Sequence, residues 1–137
     1  MTEITYQNLG DKLVEAVPEL RPQYEQELKW WGEEEAGAHN IYGDVLNPVL
    51  ISLLKSEPKS QDQEETLKRV FAFLEELANH DDPNVQDVVG ATVLERLFGV
   101  GELQRARSYM GPRTLQMSRE LEEWEPGKKS SATSPQL

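Results

Sequence analysis

Apolar residues recur every three or four positions through most of the chain. Nowhere do they alternate cleanly with polar ones, as a half-buried strand requires. The pattern predicts an all-α fold. Ile4, Leu9, Leu13, Val14 and Val17 give a short first helix that stops at Pro18. Pro22 opens a second helix, with Tyr24, Leu28 and Trp31 along one face, and Gly32 and Gly37 then break the pattern. Ile41, Val45, Leu46, Val49, Leu50, Leu53 and Leu54 make a wide stripe with Pro48 inside it. A proline removes one backbone donor and crowds the preceding turn, so either the helix kinks there or Asn47 caps a new one with Pro48 in its first turn; one kinked helix is the favoured reading.

The next helix carries the clearest start signal. Ser60 can cap it, with Gln63 three residues on, and Asp62, Glu64 and Glu65 lie where the helix dipole favours negative charge. Leu67, Val70, Phe71, Leu74, Leu77 and Ala78 form its buried stripe. Asp82 then caps a helix with Pro83 in its first position and Val85, Val88, Val89, Thr92, Val93, Leu97 and Phe98 along it. Leu94 widens the apolar surface, which predicts a central helix touched from two sides. The short link from His80 to Pro83 makes these two helices antiparallel neighbours. A short helix over Glu102 to Tyr109 comes next, and Pro112 starts a last one from which Leu115, Met117, Leu121 and Trp124 pack back. After Glu125, "PGKKSSATSPQL" has no apolar period. The expected organisation is a single compact bundle of about five to seven helices over residues 1–124, with a disordered tail over 125–137.

Charge changes the picture more than composition does. The chain has 25 acids and 14 bases, a net charge of −11. The charge is uneven: residues 1–95 carry 20 acids and 7 bases, whereas residues 96–137 carry 5 acids and 7 bases. Such a protein is repelled by nucleic acid and by anionic membranes and attracted to basic partners. There is no cysteine, hence no disulfide and no thiolate metal site. The acidic, broken N-terminus has no signal-peptide pattern, and no stretch is apolar enough to span a membrane, so a cytoplasmic location is expected.

Catalytic chemistry finds little support. His39 and His80 each lack a second histidine at the spacing a helical metal site uses. No GxSxG elbow, no phosphate-binding glycine loop and no dinucleotide motif is present, so neither an enzyme nor a cofactor is expected. The most suggestive stretch is "KWWGEEE", Lys29 to Glu35. Successive residues on a helix point about 100° apart, so Trp30 and Trp31 cannot both enter one core. An exposed tryptophan beside three carboxylates suits capture of a basic protein surface.

Two resemblances add to this reading. "DDPNVQDVVGATVLERL" looks like half of a HEAT-type repeat, which implies HEAT-like antiparallel packing. Over residues 13–124 the chain also resembles a family of small, acidic, all-helical bacterial proteins. The residues that carry the likeness are Val17–Leu20, His39–Val45 (H-x-x-Y-G-D-V), Arg69–Leu77, Asp82–Val89 (D-x-x-V-x-x-x-V) and Arg105–Leu115, with "YMGPRTL" the most distinctive. The resemblance implies an immunity protein, one that sits beside a secreted toxin and neutralises it by direct binding. The expected contact set is Trp30, Glu33, Glu34, Glu35, Tyr42, Asp44, Asp81 and Asp82, all in or near turns, facing a cognate toxin with a basic surface. A helical adaptor without a toxin partner is the alternative. A small-molecule or metal site lined by His39, Tyr42 and Asp44 is the third reading.

Overall fold

A computed structural model describes residues 3–32 and 36–124; the expected tail, 125–137, lies outside the described residues. The described residues are all-helical, with no strand among them, and form seven helical runs. Helix α1 covers 6–16, a 3-10 turn running into Leu9–Ala16. Helix α2 covers 18–31, opened by a 3-10 turn at Pro18–Leu20. Helix α3 covers 38–55, α4 is Gln61–Ala78, and α5 covers 83–99. Helix α6 covers 103–109 and α7 is Pro112–Trp124.

The start signals work as physics requires. The Ser60 hydroxyl accepts from the Gln63 N–H at 3.1 Å, and the Gln63 side chain accepts from the Ser60 N–H at 2.8 Å. Asp82 accepts from the Asn84 N–H at 2.9 Å, with Pro83 behind it. At Pro48 the helix does not restart. It runs on from a π-turn at Tyr42–Leu46, the turn just before the proline. Helix α5 contains a second π-turn, Val88–Leu94.

Helix α4 is the hub. It touches α1, α3, α5, α6 and α7, and its residues Leu67, Val70, Phe71, Phe73, Leu74, Leu77 and Ala78 are all buried. Helix α5 packs against α3, α4 and α7, burying Val85, Val88, Val89, Val93, Leu94 and Leu97. Helices α1, α2 and α3 meet at Gly10, where a Cβ would stand 2.8 Å from Ile41 Cδ1 and 2.9 Å from the Tyr24 hydroxyl. Only glycine lets the three approach so closely.

Helix α7 departs from the expected apolar docking. Its fully buried residues are Thr114 and Ser118, while Leu115, Met117 and Leu121 are only partly covered. The reason is a carboxylate supplied from α4. Glu75 accepts from the Arg113 N–H, the Thr114 N–H and the Thr114 hydroxyl at 2.9, 2.9 and 2.8 Å. It caps α7 from outside, satisfying donors that a helix start leaves free. Burial pushes the Glu75 carboxyl up, but these hydrogen bonds outweigh it and hold it below its ordinary value. Gly111 makes room: a Cβ there would lie 2.5 to 2.7 Å from Glu75 side-chain atoms. Tyr109 stacks on Phe71 with centroids 6.0 Å apart and donates to Glu64 at 2.6 Å. The "YMGPRTL" stretch is thus a latch that holds the C-terminal helices to α4.

A second clamp ties α2 to α4. Glu19 accepts from Thr66 at 3.1 Å and from Arg69 Nη1 at 2.8 Å, with Arg69 Nη2 completing the fork. The guanidinium draws the Glu19 carboxyl down from its usual 4.5 to about 2.

Both contacts can be tested by substitution. Gly111→Ala should cost about 1–3 kcal/mol in urea denaturation, because the added methyl displaces Glu75; an unchanged midpoint contradicts the latch. Glu19→Gln should cost about 1 kcal/mol or less at neutral pH, since the pair is half exposed. A depressed carboxyl stabilises the fold above its unfolded value, so the gap between variant and wild type should close as pH falls from 4.5 towards 2. A gap independent of pH would contradict the clamp.

Candidate functional site

Of the residues expected to meet a partner, Trp30 and Asp44 are exposed and stand on adjoining helices. Trp30, at the end of α2, is 83% exposed, the most open large apolar side chain among the described residues. Leu28, two residues before it, is 41% exposed. It edges a groove of about 630 Å³ between α1, α2 and the start of α3, whose walls include Tyr6, Asp11, Tyr24 and Ile41. Trp31 turns the other way and donates from Nε1 to Glu27 Oε2 at 3.0 Å. The adjacent indoles diverge, as helical geometry demands.

Glu27 links this end of α2 to Asp44. Burial raises the Glu27 carboxyl first, the neighbouring Asp44 raises it further, and the Trp31 N–H opposes both. Asp44 itself is exposed and lines a cleft between α3 and α5 with Gly43, Thr92 and Glu95. The surface around the end of α2 therefore joins an exposed indole to a crowded set of carboxylates.

Other expected contacts fall elsewhere. Tyr42 is a correction: it is fully buried, and its hydroxyl donates to the Leu9 carbonyl at 2.9 Å. Burial pushes its phenol far up. Helix α3 begins at Ala38, so Tyr42 lies inside a helix and on the face of Val45 and Leu46, where a partner cannot reach it. Asp82 is engaged as the cap of α5, and its N–H donates to His80 Nδ1 at 3.0 Å. His80 Nε2 then carries the hydrogen and donates to the Ile4 carbonyl at 2.9 Å, which pins the N-terminal segment. Asp81 is exposed at the same turn, in a second acidic hollow with Glu3 and Glu76. Along α5 this turn is about 20 Å from Glu95, at 1.5 Å per residue, so the two acidic groups do not converge. Glu33, Glu34 and Glu35 lie outside the described residues.

Of the three residues of the small-molecule reading, Tyr42 enters the core, while His39 pairs with the Thr92 hydroxyl and Asp44 lines the cleft that Thr92 also borders. No group of three His, Cys, Asp or Glu placed to hold a metal occurs among the described residues. No helix among them is long and apolar enough to cross a membrane.

Comparison with known proteins places the chain in a family. Residues 10–125 match the model of a domain of unknown function, DUF7674. The chain belongs to the DUF7674 family. The match says nothing of HEAT repeats or of toxins, and no curated protein and no solved structure matched the chain. In this DUF7674 chain two of the motifs noted in the sequence divide by role. Gly111, Pro112 and Thr114 build the latch, whereas His39–Val45 contributes Tyr42 to the core and Asp44 to the surface. Glu27 and Trp31, which complete the acidic patch, have no sequence signal beyond their i, i+4 spacing on α2.

Asp44→Asn should lower the Glu27 midpoint towards its ordinary value, read from the carboxyl carbon in an NMR titration. A carboxyl raised by folding weakens the fold once ionised, so the variant should be as stable as wild type at neutral pH, or more so. A Glu27 midpoint that does not move contradicts the pairing.

Proposed function

We propose that this protein is an immunity-type inhibitor that neutralises a cognate toxin by binding a basic surface on it. The observation that carries the reading is Trp30. A tryptophan 83% exposed at a helix end is poorly used by the fold, and tryptophan is enriched among the residues that dominate interface energies. The groove edged by Leu28 opens on another face of the same helix and does not include Trp30. The Glu27–Asp44 pair borders it on α3, and the Glu33–Glu35 run comes directly after it in the chain.

The chemistry is division of labour. The indole supplies apolar area with little rotamer entropy to lose, while the carboxylates draw a positive partner in and fix its register. A carboxylate raised by burial and by a neighbouring acid, as Glu27 is, gains from a positive charge brought near it. The resemblance to immunity proteins gives the partner its class, and the charge of −11 gives its sign. An inhibitor of this kind needs a stiff surface and no catalytic group.

Co-expression with the neighbouring open reading frames, followed by pull-down, should retrieve one basic partner. Trp30→Ala should then weaken binding about thirtyfold, roughly 2 kcal/mol, mostly through faster dissociation. Replacing Glu33–Glu35 by lysines should slow association and flatten its salt dependence. Retrieval of no basic partner, or affinity indifferent to both changes, contradicts the proposal.

A further inference from the structure

Asn47 sits where the α3 π-turn ends, and it is 4% exposed. Its Nδ2 donates to the Thr92 carbonyl, in the π-turn of α5, at 3.1 Å. That bond fixes the amide, because turning it over would set its oxygen against another carbonyl oxygen. Asn47 Oδ1 is then left buried with no donor among the described residues. Buried acceptors are almost always paired, so an unpaired one calls for a missing donor. Asn47 lines the cleft between α3 and α5, about 550 Å³ in volume, together with Gly43, Asp44, Thr92, Glu95 and Arg96.

We propose that this cleft receives the cationic end of a lysine or arginine side chain, its N–H donor meeting Asn47 Oδ1 and its charge meeting Asp44 and Glu95. The source of that side chain, the partner's basic surface, rests on the reading above. A neutral donor would satisfy Asn47 equally well, but the two exposed carboxylates select a charged one. Asp44 already crowds Glu27, and a cation in the cleft beside Asp44 offsets that crowding. The Asn47 oxygen is closed to water in the free protein, so entry must part the rim. Both walls of the cleft carry π-turns, where helix hydrogen bonding is weakest and departures from regularity often serve binding. Arg96 is the opposing element: exposed on the same rim, it makes no ion pair or side-chain hydrogen bond among the described residues and repels an incoming cation.

The test uses the isotope-labelled full chain, titrated in separate arms with methylguanidinium chloride, methylammonium chloride and sodium chloride at matched ionic strength. At least one organic cation should shift the Asn47 side-chain amide and the backbone amides of 43–47 and 92–96 saturably, where sodium chloride does not. The double variant Asp44→Asn, Glu95→Gln should weaken that binding about tenfold, and Arg96→Gln should strengthen it. Shifts matched by sodium chloride, or indifference to the double variant, overturn the proposal. Retrieval of a basic partner is read separately. A partner found while the cleft ignores both cations sinks this site and leaves the inhibitor reading standing; a cleft that binds cations when no basic partner is found does the reverse.

Discussion

The pairing of α3 with α5 across their two π-turns is the constraint on which the surface depends. Asn47 reaches the Thr92 carbonyl, His39 reaches the Thr92 hydroxyl, and a Cβ on Gly43 would stand 3.7 Å from the Thr92 methyl group. A π-turn inserts one residue into a helix and rotates the residues C-terminal to it. In α3 Tyr42, Val45, Leu46 and Leu50 share the buried face across the π-turn and Pro48. Asp44, within the same turn, is left outside. The core and the acidic patch are therefore two consequences of one packing decision.

Elsewhere polar contacts place the helices and apolar burial holds them. Glu75 ties α7 to α4, and Glu19 ties α2 to α4, beside large buried side chains such as Phe71 and Leu74. The sparing use of acids in the fold matters for function. Glu19, Glu75 and Asp82 are occupied by the fold, whereas Asp44, Asp81 and Glu95 are exposed and make no structural hydrogen bond among the described residues. A solvated excess of negative charge serves long-range attraction better than one locked in ion pairs.

Much of the fold is legible in local sequence. Ser60 with Gln63 and Asp82 with Pro83 mark helix starts because capping is decided within four residues. The all-α class and the stripe of α4 come from periodicity. The failures share a cause, distance along the chain. Glu75 and Gly111 meet only after folding, so nothing in "YMGPRTL" announces a latch, and Thr114 and Ser118 cannot be picked out as the buried face of α7. Tyr42 misleads because the glycines around residue 37 conceal where α3 begins. The Glu27–Asp44 pair joins two helices and has no pattern of its own. That one of the two tryptophans stands exposed is legible for a geometric reason, since adjacent indoles on one helix must diverge, but which of them does is set by the packing around α2.

The central claim is that the end of α2 and the α3–α5 cleft form the surface a basic partner meets. Hydrogen exchange on the complex retrieved from co-expression measures this most directly. Protection concentrated in 28–32, 43–47 and 92–96, with α6 and α7 unchanged, is the result the account predicts. Protection confined to the basic C-terminal third, with the amides around Trp30 exchanging as in the free protein, would contradict it.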